Sequence, residues 1–316
     1  MAEKKKDPVA VTSRSFSRHP ILRAELLEKY ERVMFNDAGK SLGGAELVAF
    51  LRGHKRAILA LESLDEAVLS QLPDLEVVSK YGVGIDKLDL SAMKRFDVRL
   101  GWKGGVNKRS VAELALAFAI SLLRQVPRAN LEVRNQVWRQ LTGNLLTGRT
   151  VGIIGCGHVG KDFIQLLRPF NCRILIHDIL DLTDFAKDVG AETLSLDALL
   201  KQSDVVSLHV PLNPSTRSLI NRDRLRLMKV SAVLINTARG GIVDEEALKE
   251  WLKEGKLTGA AFDVFIEEPP RDNELLALPN FLATPHIGGS AEEAILAMGR
   301  AAIAGLEEAR DADSFV

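Results

Sequence analysis

The amino-acid sequence predicts an α/β protein built from two doubly wound parallel-sheet domains with a cleft between them. Three observations lead to this prediction. Short apolar runs alternate with helical patterns, the series starts a second time at Thr150, and the 316 residues suffice for about two domains of roughly 150 residues each. Short apolar strands that alternate with helices are typical of a parallel sheet covered on both faces.

The first sheet is predicted from five short apolar runs. They lie at residues 9–12, 32–35, 57–60, 77–78 and 98–100. Helical spacing of apolar residues predicts helices between them, at 21–30, 45–51, 66–72 and 91–96. Each of the first four strands is therefore followed by a helix, as parallel pairing requires.

The second sheet is predicted from six further runs. They lie at residues 151–154, 173–177, 205–208, 232–235, 260–263 and 281–283. Helices are predicted between most of these runs, including 159–167, 196–200 and 245–252. This series again indicates a doubly wound sheet.

The boundary between the domains is predicted near Asn107. A long apolar helix is predicted at 110–123, and a last helical segment at 291–308 follows the second sheet. We expect this last segment to return to the first domain. The prediction is a discontinuous domain of residues 1–106 plus 288–316 and a continuous domain of residues 107–287.

Composition and charge argue against several classes of protein. Lys plus Arg and Asp plus Glu each number 42, so we expect neither a nucleic-acid nor an anionic-membrane partner. The two cysteines, Cys156 and Cys172, are too few for a disulfide scaffold, and we expect no metal site. Residues 1–7 are charged, and no apolar run approaches the roughly 18 residues of a membrane span. We therefore expect a cytoplasmic protein.

A glycine-rich loop begins the second series. Gly155, Gly157 and Gly160 form the pattern G-x-G-x-x-G between the predicted strand 151–154 and the predicted helix 159–167. In that context, the glycines permit a tight turn, close approach of the backbone to a pyrophosphate, and close packing of the helix on the strand. The pattern indicates a Rossmann-like dinucleotide site.

An acidic residue follows at the spacing that such a site requires. Asp178 ends the next predicted strand, about 20 residues beyond the glycine loop. Its carboxylate can accept hydrogen bonds from ribose hydroxyls and would repel a 2′-phosphate, which predicts NAD rather than NADP. The alternative is a glycine turn followed by an aspartate that caps a helix.

Three segments with candidate catalytic side chains follow successive strands of the second sheet. Arg239, Glu268 and His286 each lie just beyond the carboxyl end of a predicted strand, where open α/β sheets bind ligands. An arginine can hold the carboxylate of a 2-keto acid, and a histidine can donate a proton to its carbonyl oxygen. A carboxylate beside the histidine fixes its tautomer and favours its protonated form. Singly, each residue could equally be an ordinary surface or loop residue.

The set of motifs resembles the D-isomer-specific 2-hydroxyacid dehydrogenase family, and most of all its phosphoglycerate dehydrogenase branch. The similar motifs span nearly the whole chain, at 81–86, 111–114, 155–160, 209–212, 236–244, 263–270 and 285–289. The resemblance implies a substrate domain at 1–106 plus 288–316 and an NAD-binding domain at 107–287. It also implies a homodimer in which residues 127–146, including Trp138, contact the partner.

The resemblance also implies a role for individual residues. Arg239 would bind the substrate, Glu268 would orient His286, and His286 would be the acid and base. The backbone of Val83 and Gly84 would hold the substrate carboxylate. The implied NAD pocket is lined by Gly155, Gly157, His158, Val159, Gly160, Asp178, His209, Val210, Pro211, Thr237, Ala238, Arg239, Asp263, His286, Gly288 and Gly289.

Two segments depart from the phosphoglycerate dehydrogenase pattern. The loop that usually carries a phosphate-binding arginine is 61–64, Leu-Glu-Ser-Leu, and a segment that is usually Thr-Pro-Gly-like is 102–107, Trp-Lys-Gly-Gly-Val-Asn. Lys80 and Lys103 could supply positive charge instead, or could both be solvated. The substrate therefore stays open between a phosphorylated and a simple 2-hydroxy acid.

The sequence argues against several other dehydrogenase classes and leaves one non-enzymatic class open. Neither Tyr30 nor Tyr81 is followed four residues later by a lysine, which argues against a short-chain dehydrogenase. L-lactate-type enzymes carry the glycine loop near the N-terminus, and formate dehydrogenases have Gln at the position of Glu268. A non-catalytic NAD sensor, like the corepressors on this fold, retains the Arg–Glu–His set and stays an alternative.

Overall fold

The computed structural model describes residues 4–315, which form two compact units. One unit runs up to Asn107 and resumes at Ser290, and the other spans Lys108–Gly289. Of the charged residues 1–7, which the sequence predicts to be no membrane anchor, the first three lie outside the described part of the chain.

Residues 4–315 form twelve strands. They are β1 (Val9–Val11), β2 (Val33–Phe35), β3 (Arg56–Leu59), β4 (Val77–Lys80), β5 (Arg99–Gly101), β6 (Thr150–Ile154), β7 (Arg173–His177), β8 (Glu192–Thr193), β9 (Val205–Leu208), β10 (Val233–Asn236), β11 (Gly259–Phe262) and β12 (Phe281–Ala283).

The helices lie between the strands. They are α1 (Arg14–Arg18), α2 (Pro20–Lys29), α3 (Gly44–Leu51), α4 (Glu66–Leu69), α5 (Leu90–Arg95), α6 (Lys108–Leu123), α7 (Val126–Arg134), α8 (His158–Leu167), α9 (Thr183–Val189), α10 (Leu196–Gln202), α11 (Arg222–Leu225), α12 (Glu245–Lys253), α13 (Asn273–Leu276) and α14 (Glu292–Gly305). Two 3₁₀ turns lie at Arg168–Phe170 and Ala312–Phe315.

Both sheets are parallel and doubly wound. The first unit has the strand order β2-β1-β3-β4-β5, and the second has β12-β11-β10-β9-β6-β7-β8. Counted within the second unit, six of its seven strands follow the order 3-2-1-4-5-6 of dinucleotide-binding folds, with one more strand at the edge. The predicted fold class, two parallel-sheet α/β domains, is confirmed.

The last helix belongs to the first unit. Helix α14 packs on β4 and β5, where Ser79 Oγ donates to the Ala302 carbonyl at 2.7 Å. A Cβ on Gly101 would lie only 2.1 Å from the Gly305 carbonyl oxygen, so a glycine is required where the helix crosses the strand. Met298, Ala302 and Ile303 of this helix are part of the first unit's core.

Strand β8 and helix α1 are among the elements that were missing from the sequence prediction. Strand β8 has only two residues, both exposed, and pairs with Leu175 and Ile176 through the sheet edge. Helix α1 buries only Phe16 and Ser17 and begins at Ser13, whose side chain accepts a hydrogen bond from the Phe16 N–H. Neither element has the apolar periodicity on which the prediction relied.

Helix α6 lies in the core of the second unit. It buries seven side chains, among them Phe118 and Leu122, against the apolar face of the sheet. Among residues 4–315, no single helix is long and apolar enough to cross a membrane. Together α6 and α7 pass that test by length and composition, although they bend by 65°, and a buried core helix passes it equally.

Candidate active site

The carboxyl ends of five neighbouring strands meet at one edge of the second unit. Ile154 pairs with Leu208, Leu208 with Asn236, Asn236 with Phe262, and Phe262 with Ala283. Because the strands are parallel and end at the same level, the loops that start at residues 155, 209, 237, 263 and 284 begin side by side. All the predicted catalytic side chains are on these loops.

The first of these loops is shaped by its glycines. Gly155 has φ +87, and a Cβ there would lie 2.7 Å from Val210 Cγ1. A Cβ on Gly160 would lie 2.4 Å from the Gly155 carbonyl oxygen, so helix α8 can pack closely only with a glycine. At Gly157, which precedes α8, a Cβ would meet no atom of the described chain within 4 Å. Gly155 and Gly160 are thus crowded by neighbouring protein atoms. The space beside Gly157, at the N-terminus of α8, is open, as a phosphate site requires.

Asp178 is fixed in place beside this loop. Its Oδ2 accepts the Cys156 N–H at 2.7 Å, and its Oδ1 accepts the Leu180 N–H at 3.0 Å. A carboxylate has about four acceptor sites, so these two bonds leave capacity for ribose hydroxyls. Burial raises the pKa of the Cys156 thiol to about 11, with Asp178 adding to the shift, so the thiol is protonated near neutral pH.

His209 and Thr237 line the interior of the same edge. His209 Nε2 lies 3.0 Å from Ser207 Oγ, and burial lowers the pKa of His209 to about 3. This histidine is therefore neutral at physiological pH. Thr237 is buried, and its hydroxyl has no hydrogen-bond partner within residues 4–315, which marks it as a group that a ligand could satisfy.

The loop that carries Arg239 is held from below by Asn236. The buried Asn236 amide donates to the Arg239 carbonyl at 2.9 Å and accepts the Ala238 N–H at 3.1 Å. A Cβ on Gly240 would lie 2.0 Å from the Phe265 carbonyl carbon, so the Arg239 loop and the loop that carries Glu268 touch through backbone atoms. A side chain at 240 would push these two loops apart.

Glu268 and His286 form a hydrogen-bonded pair. His286 Nδ1 lies 2.8 Å from Glu268 Oε2, and the two side chains are 37% and 39% exposed, respectively. The other carboxylate oxygen, Glu268 Oε1, accepts the Phe265 N–H at 3.2 Å. An imidazole held through Nδ1 presents Nε2 to a reacting molecule, which is the geometry of an oriented acid or base.

Asp263 holds the backbone that presents His286. Its carboxylate accepts the Thr284 hydroxyl at 2.5 Å and the N–H groups of Ile287 and Gly288, both at 2.7 Å. The backbone at His286 has φ +56, which is unusual for a residue other than glycine. The buried Asp263 thus stabilises a strained turn. The sequence predicted Asp263 as a residue of the NAD pocket and did not predict this structural role.

The remaining predicted NAD-site residues lie on the same loops. His158 and Gly157 are exposed, Val159, Val210 and Ala238 are half-buried, and Gly289 ends the loop after β12. The Gly288 carbonyl accepts the Ser110 hydroxyl at 2.6 Å, which ties that loop to α6. Pro211 follows Val210 and is exposed. The second unit therefore contains every predicted catalytic and NAD-site residue.

The predicted substrate-loop residues belong to the first unit. Val83 and Gly84 follow β4, and the Val83 carbonyl accepts the Trp102 indole N–H at 3.0 Å. Lys80 is only 6% exposed, and its ammonium group donates to the Ala60 carbonyl, whereas Lys103 is exposed. The Ala60 N–H in turn donates to Glu62 Oε2 at 2.7 Å. The backbone of Ala60 therefore bonds to Lys80 through its carbonyl and to Glu62 through its N–H.

Among residues 4–315, no cluster of three or more His, Cys, Asp or Glu side chains could hold a metal ion. The strand order, the glycine loop and Asp178 instead define a dinucleotide-binding domain, with a Glu–His pair on neighbouring loops. Comparison with known proteins gives the family. Residues 116–288 match the model of the D-isomer specific 2-hydroxyacid dehydrogenase NAD binding domain.

Curated relatives and solved structures support the same family. The chain is 38% identical over 235 residues to D-3-phosphoglycerate dehydrogenase of Methanocaldococcus jannaschii, which covers 73% of this chain and 45% of that protein. It is 33% identical over 280 residues to glyoxylate reductase of Thermococcus litoralis, covering 85% of each chain. D-lactate dehydrogenase of Aquifex aeolicus, solved with NAD and lactic acid, superposes with a TM-score of 0.82, at 26% identity, over 95% of this chain and 94% of that chain.

The chain belongs to the D-isomer-specific 2-hydroxyacid dehydrogenase family. It spans less than half the length of the phosphoglycerate dehydrogenases that it matches, 45% in the Methanocaldococcus protein and 44% in the Bacillus subtilis protein.

Proposed function

We propose that the chain is an NAD-dependent oxidoreductase that interconverts a small D-2-hydroxy acid and its 2-keto acid. The observation that carries this proposal is the 2.8 Å contact between His286 Nδ1 and Glu268 Oε2 at the carboxyl edge of a dinucleotide-binding sheet. The alternative, an NAD sensor like the corepressors that retain the same Arg–Glu–His set, binds NADH without turning over a substrate, so turnover separates the two.

The residues of the second unit fit NAD. The open space above Gly157 and the N-terminus of the ten-residue helix α8 suit the pyrophosphate. Asp178, fixed by two backbone N–H groups, would accept the ribose hydroxyls and repel a 2′-phosphate. Thr237, whose hydroxyl is buried without a partner in the described chain, would bond to the bound cofactor. When bound, the nicotinamide ring supplies or accepts the hydride.

The Glu–His pair would move the proton. In the reducing direction, His286 Nε2 donates a proton to the carbonyl oxygen as C2 gains the hydride, and the C=O double bond becomes C–OH. Glu268 holds Nδ1, keeps the ring in one tautomer and stabilises the imidazolium form that donates. Oxidation of the hydroxy acid runs the same steps backwards, with neutral His286 as the base.

Arg239 would hold the substrate. Its guanidinium is permanently charged and forked, so it can bind a carboxylate through two hydrogen bonds. Its backbone is fixed by Asn236, and Gly240 keeps its loop against that of Glu268. For the first unit, we propose that the backbone of Val83 and Gly84 binds a substrate carboxylate.

The substrate class stays broad. Relatives of similar identity are named for phosphoglycerate, hydroxypyruvate and glyoxylate, at 38%, 38% and 33–38%. The 61–64 loop contains no cation, and the ammonium group of Lys80 is engaged with the Ala60 carbonyl. We propose that the substrate is a small 2-keto acid. A contact with Lys103 would favour a 2-keto acid that carries a second anionic group.

We also propose a homodimer that forms through residues 127–146. Helix α7 buries none of its residues, and Trp138 is 87% exposed beside the exposed Val137. The C-terminal end of this segment is attached to α6, because the Asn144 N–H donates to the Leu123 carbonyl at 2.8 Å. A projecting, anchored segment with large exposed apolar groups is typical of an interface. Light scattering of the protein and of Trp138→Asp would test this, with a monomer expected only for the variant.

A reducing compartment such as the cytoplasm is proposed for this protein. It rests on Cys156 and Cys172, which are both free thiols.

A panel assay tests the catalytic proposal. The purified chain is mixed with NADH and each of a series of phosphorylated and unphosphorylated 2-keto acids, and the loss of NADH absorbance is followed. The proposal predicts turnover of at least one small 2-keto acid. Tight NADH binding without turnover of any member would contradict it and favour an NAD sensor.

A further inference from the structure

The loop after β11 carries Glu268 and is attached to helix α12 at two points. The Ile266 N–H donates to Glu245 Oε1 at 3.0 Å. Lys249 Nζ lies 2.9 Å from Asp272 Oδ2. The first anchor lies two residues before Glu268 and the second lies four residues after it.

Between these anchors the loop spans a cavity. The cavity has a volume of about 350 Å³ and is lined by Glu245, Phe265, Pro270, Arg271 and Leu275, among others. The Ile266 side chain is 63% exposed, so it does not fasten the loop to the core. The Phe265 side chain packs in the core against Phe262 and Phe281, whereas the segment from Ile266 to Arg271 lines the cavity and is held at its ends by the two polar anchors.

The peptide group between Phe265 and Ile266 is contacted by two neighbouring residues. Glu245 accepts its N–H, and Gly240, the residue after Arg239, lies against its carbonyl. The preceding N–H, that of Phe265, donates to Glu268 Oε1 at 3.2 Å. A shift of this peptide would therefore move the carboxylate that holds His286.

We propose that Glu245 is a positioning residue, which holds the Phe265–Ile266 peptide so that Glu268 stays in hydrogen-bonding distance of His286. The proposal rests on the proposed function, and its chemical effect is carried entirely by Glu268 and His286. Glu245 itself is not expected to touch the substrate or the cofactor.

The environment of Glu245 agrees with this assignment. Burial raises the pKa of Glu245, the Ile266 N–H lowers it, and Asp272 raises it further. A carboxylate in that position costs free energy unless it is well bonded. Capping α12 does not explain its position, because Asp244 is the N-cap and accepts the Ala247 N–H at 3.0 Å.

The neighbouring Glu246 provides a matched control. It lies in the same first turn of α12, is exposed, and pairs with Lys249 at 2.7 Å. Replacing either glutamate by alanine removes one negative charge from the helix N-terminus, but only Glu245→Ala removes the bond to the loop. Glu245→Gln keeps an oxygen that can accept the Ile266 N–H.

The kinetic test uses these three variants and a double-mutant cycle with Glu268→Ala. Glu245→Ala should lower kcat for keto-acid reduction by roughly 10- to 100-fold, since a misplacement of about 1 Å can cost 10²-fold. NADH binding should not change, and Glu245→Gln and Glu246→Ala should keep most of the activity. In the Glu268→Ala background, the further loss from Glu245→Ala should be small, because the two residues act through one contact. Additive losses, or equal losses for Glu245→Ala and Glu246→Ala, would overturn the proposal.

Crystal structures of the variants provide a test that does not need turnover. The Nδ1–Oε2 distance between His286 and Glu268 should lengthen beyond hydrogen-bonding range in Glu245→Ala and stay at its wild-type value in Glu245→Gln. An unchanged distance in Glu245→Ala would overturn the proposal. A wild-type protein that turns over no 2-keto acid would contradict the proposed function alone, and the distance would still decide the role of Glu245.

Discussion

Asp263 and His286 are joined by the backbone rather than by their side chains: the His286 N–H donates to the Asp263 carbonyl at 2.9 Å. The Asp263 carboxylate meanwhile binds the two N–H groups that follow His286. The histidine is thus fixed through its main chain by Asp263, the first residue after β11, and through its ring by Glu268, which lies on the same loop as Asp263. This double attachment fixes the position of His286, the proposed acid and base.

Replacing Glu268 by Gln should lower kcat and leave NADH binding unchanged. The amide can still contact His286 Nδ1, but it cannot stabilise the imidazolium form that donates the proton. Steady-state kinetics and fluorescence titration with NADH would measure both quantities. Glu267→Gln is the matched control, because Glu267 is exposed and pairs with Arg271 at 3.2 Å. Equal activities of the two variants would show that Glu268 does not act on the histidine.

The protein should prefer NAD to NADP by more than about 100-fold in kcat/KM. The carboxylate of Asp178 is held where the adenosine ribose is expected, and a 2′-phosphate would meet it as a like charge, which costs several kcal/mol at an interface. Initial rates with each cofactor measure the ratio. Similar values of kcat/KM for the two cofactors would show that Asp178 does not face the ribose.

His209→Gln should reduce the loss of stability at acidic pH. Burial lowers the pKa of His209 from 6.5 to about 3, so between these values the unfolded chain binds a proton that the folded chain does not. The folded state therefore loses stability as pH falls below about 6.5, by up to roughly 1.4 kcal/mol per pH unit. Urea unfolding at pH 7 and pH 5 measures this. If the variant and the wild type lose equal stability, His209 takes up a proton in the folded protein.

Lys103→Met should selectively reduce the activity towards substrates with a second anionic group. Lys103 is exposed, so its ammonium group is accessible to such a group. A charge-assisted contact contributes about 1.5–3 kcal/mol, which is roughly 10- to 150-fold in kcat/KM. The assay compares a monoanionic with a dianionic 2-keto acid, and Lys87→Met, another exposed lysine beyond β4, is the control. Equal small effects on both substrates would favour a simple, uncharged side chain.

The sequence was sufficient for the fold class because parallel strands and glycine loops have local signatures. The strands around Val151 and Val233 are short apolar runs, as is typical of strands buried on both faces, and Gly155 and Gly160 are required by close contacts. The edge strand β8 has no such run, so its two residues were not recognised.

The supporting side chains could not be predicted in the same way. The side chains of Glu245 and Asp263 bond to backbone groups that lie 21 and 24–25 residues away in the sequence, and no sequence spacing predicts such bonds. Lys80 is a similar case. A lysine beside a loop is expected to be solvated, but the ammonium group of Lys80 donates to the Ala60 carbonyl. Side-chain partners depend on tertiary packing, which local patterns do not encode.

The most direct test of the account is the rate of hydride transfer in His286→Ala. A single-turnover experiment with NADH and a competent 2-keto acid would report the chemical step, and fluorescence titration would report NADH binding. His54→Ala, at a half-buried histidine in the first unit whose ring contacts the Arg52 carbonyl, is the control. The account predicts a loss of roughly 10²–10⁴-fold in the rate for His286→Ala, the usual contribution of general acid–base catalysis, with NADH binding unchanged. Wild-type rates in His286→Ala would contradict it.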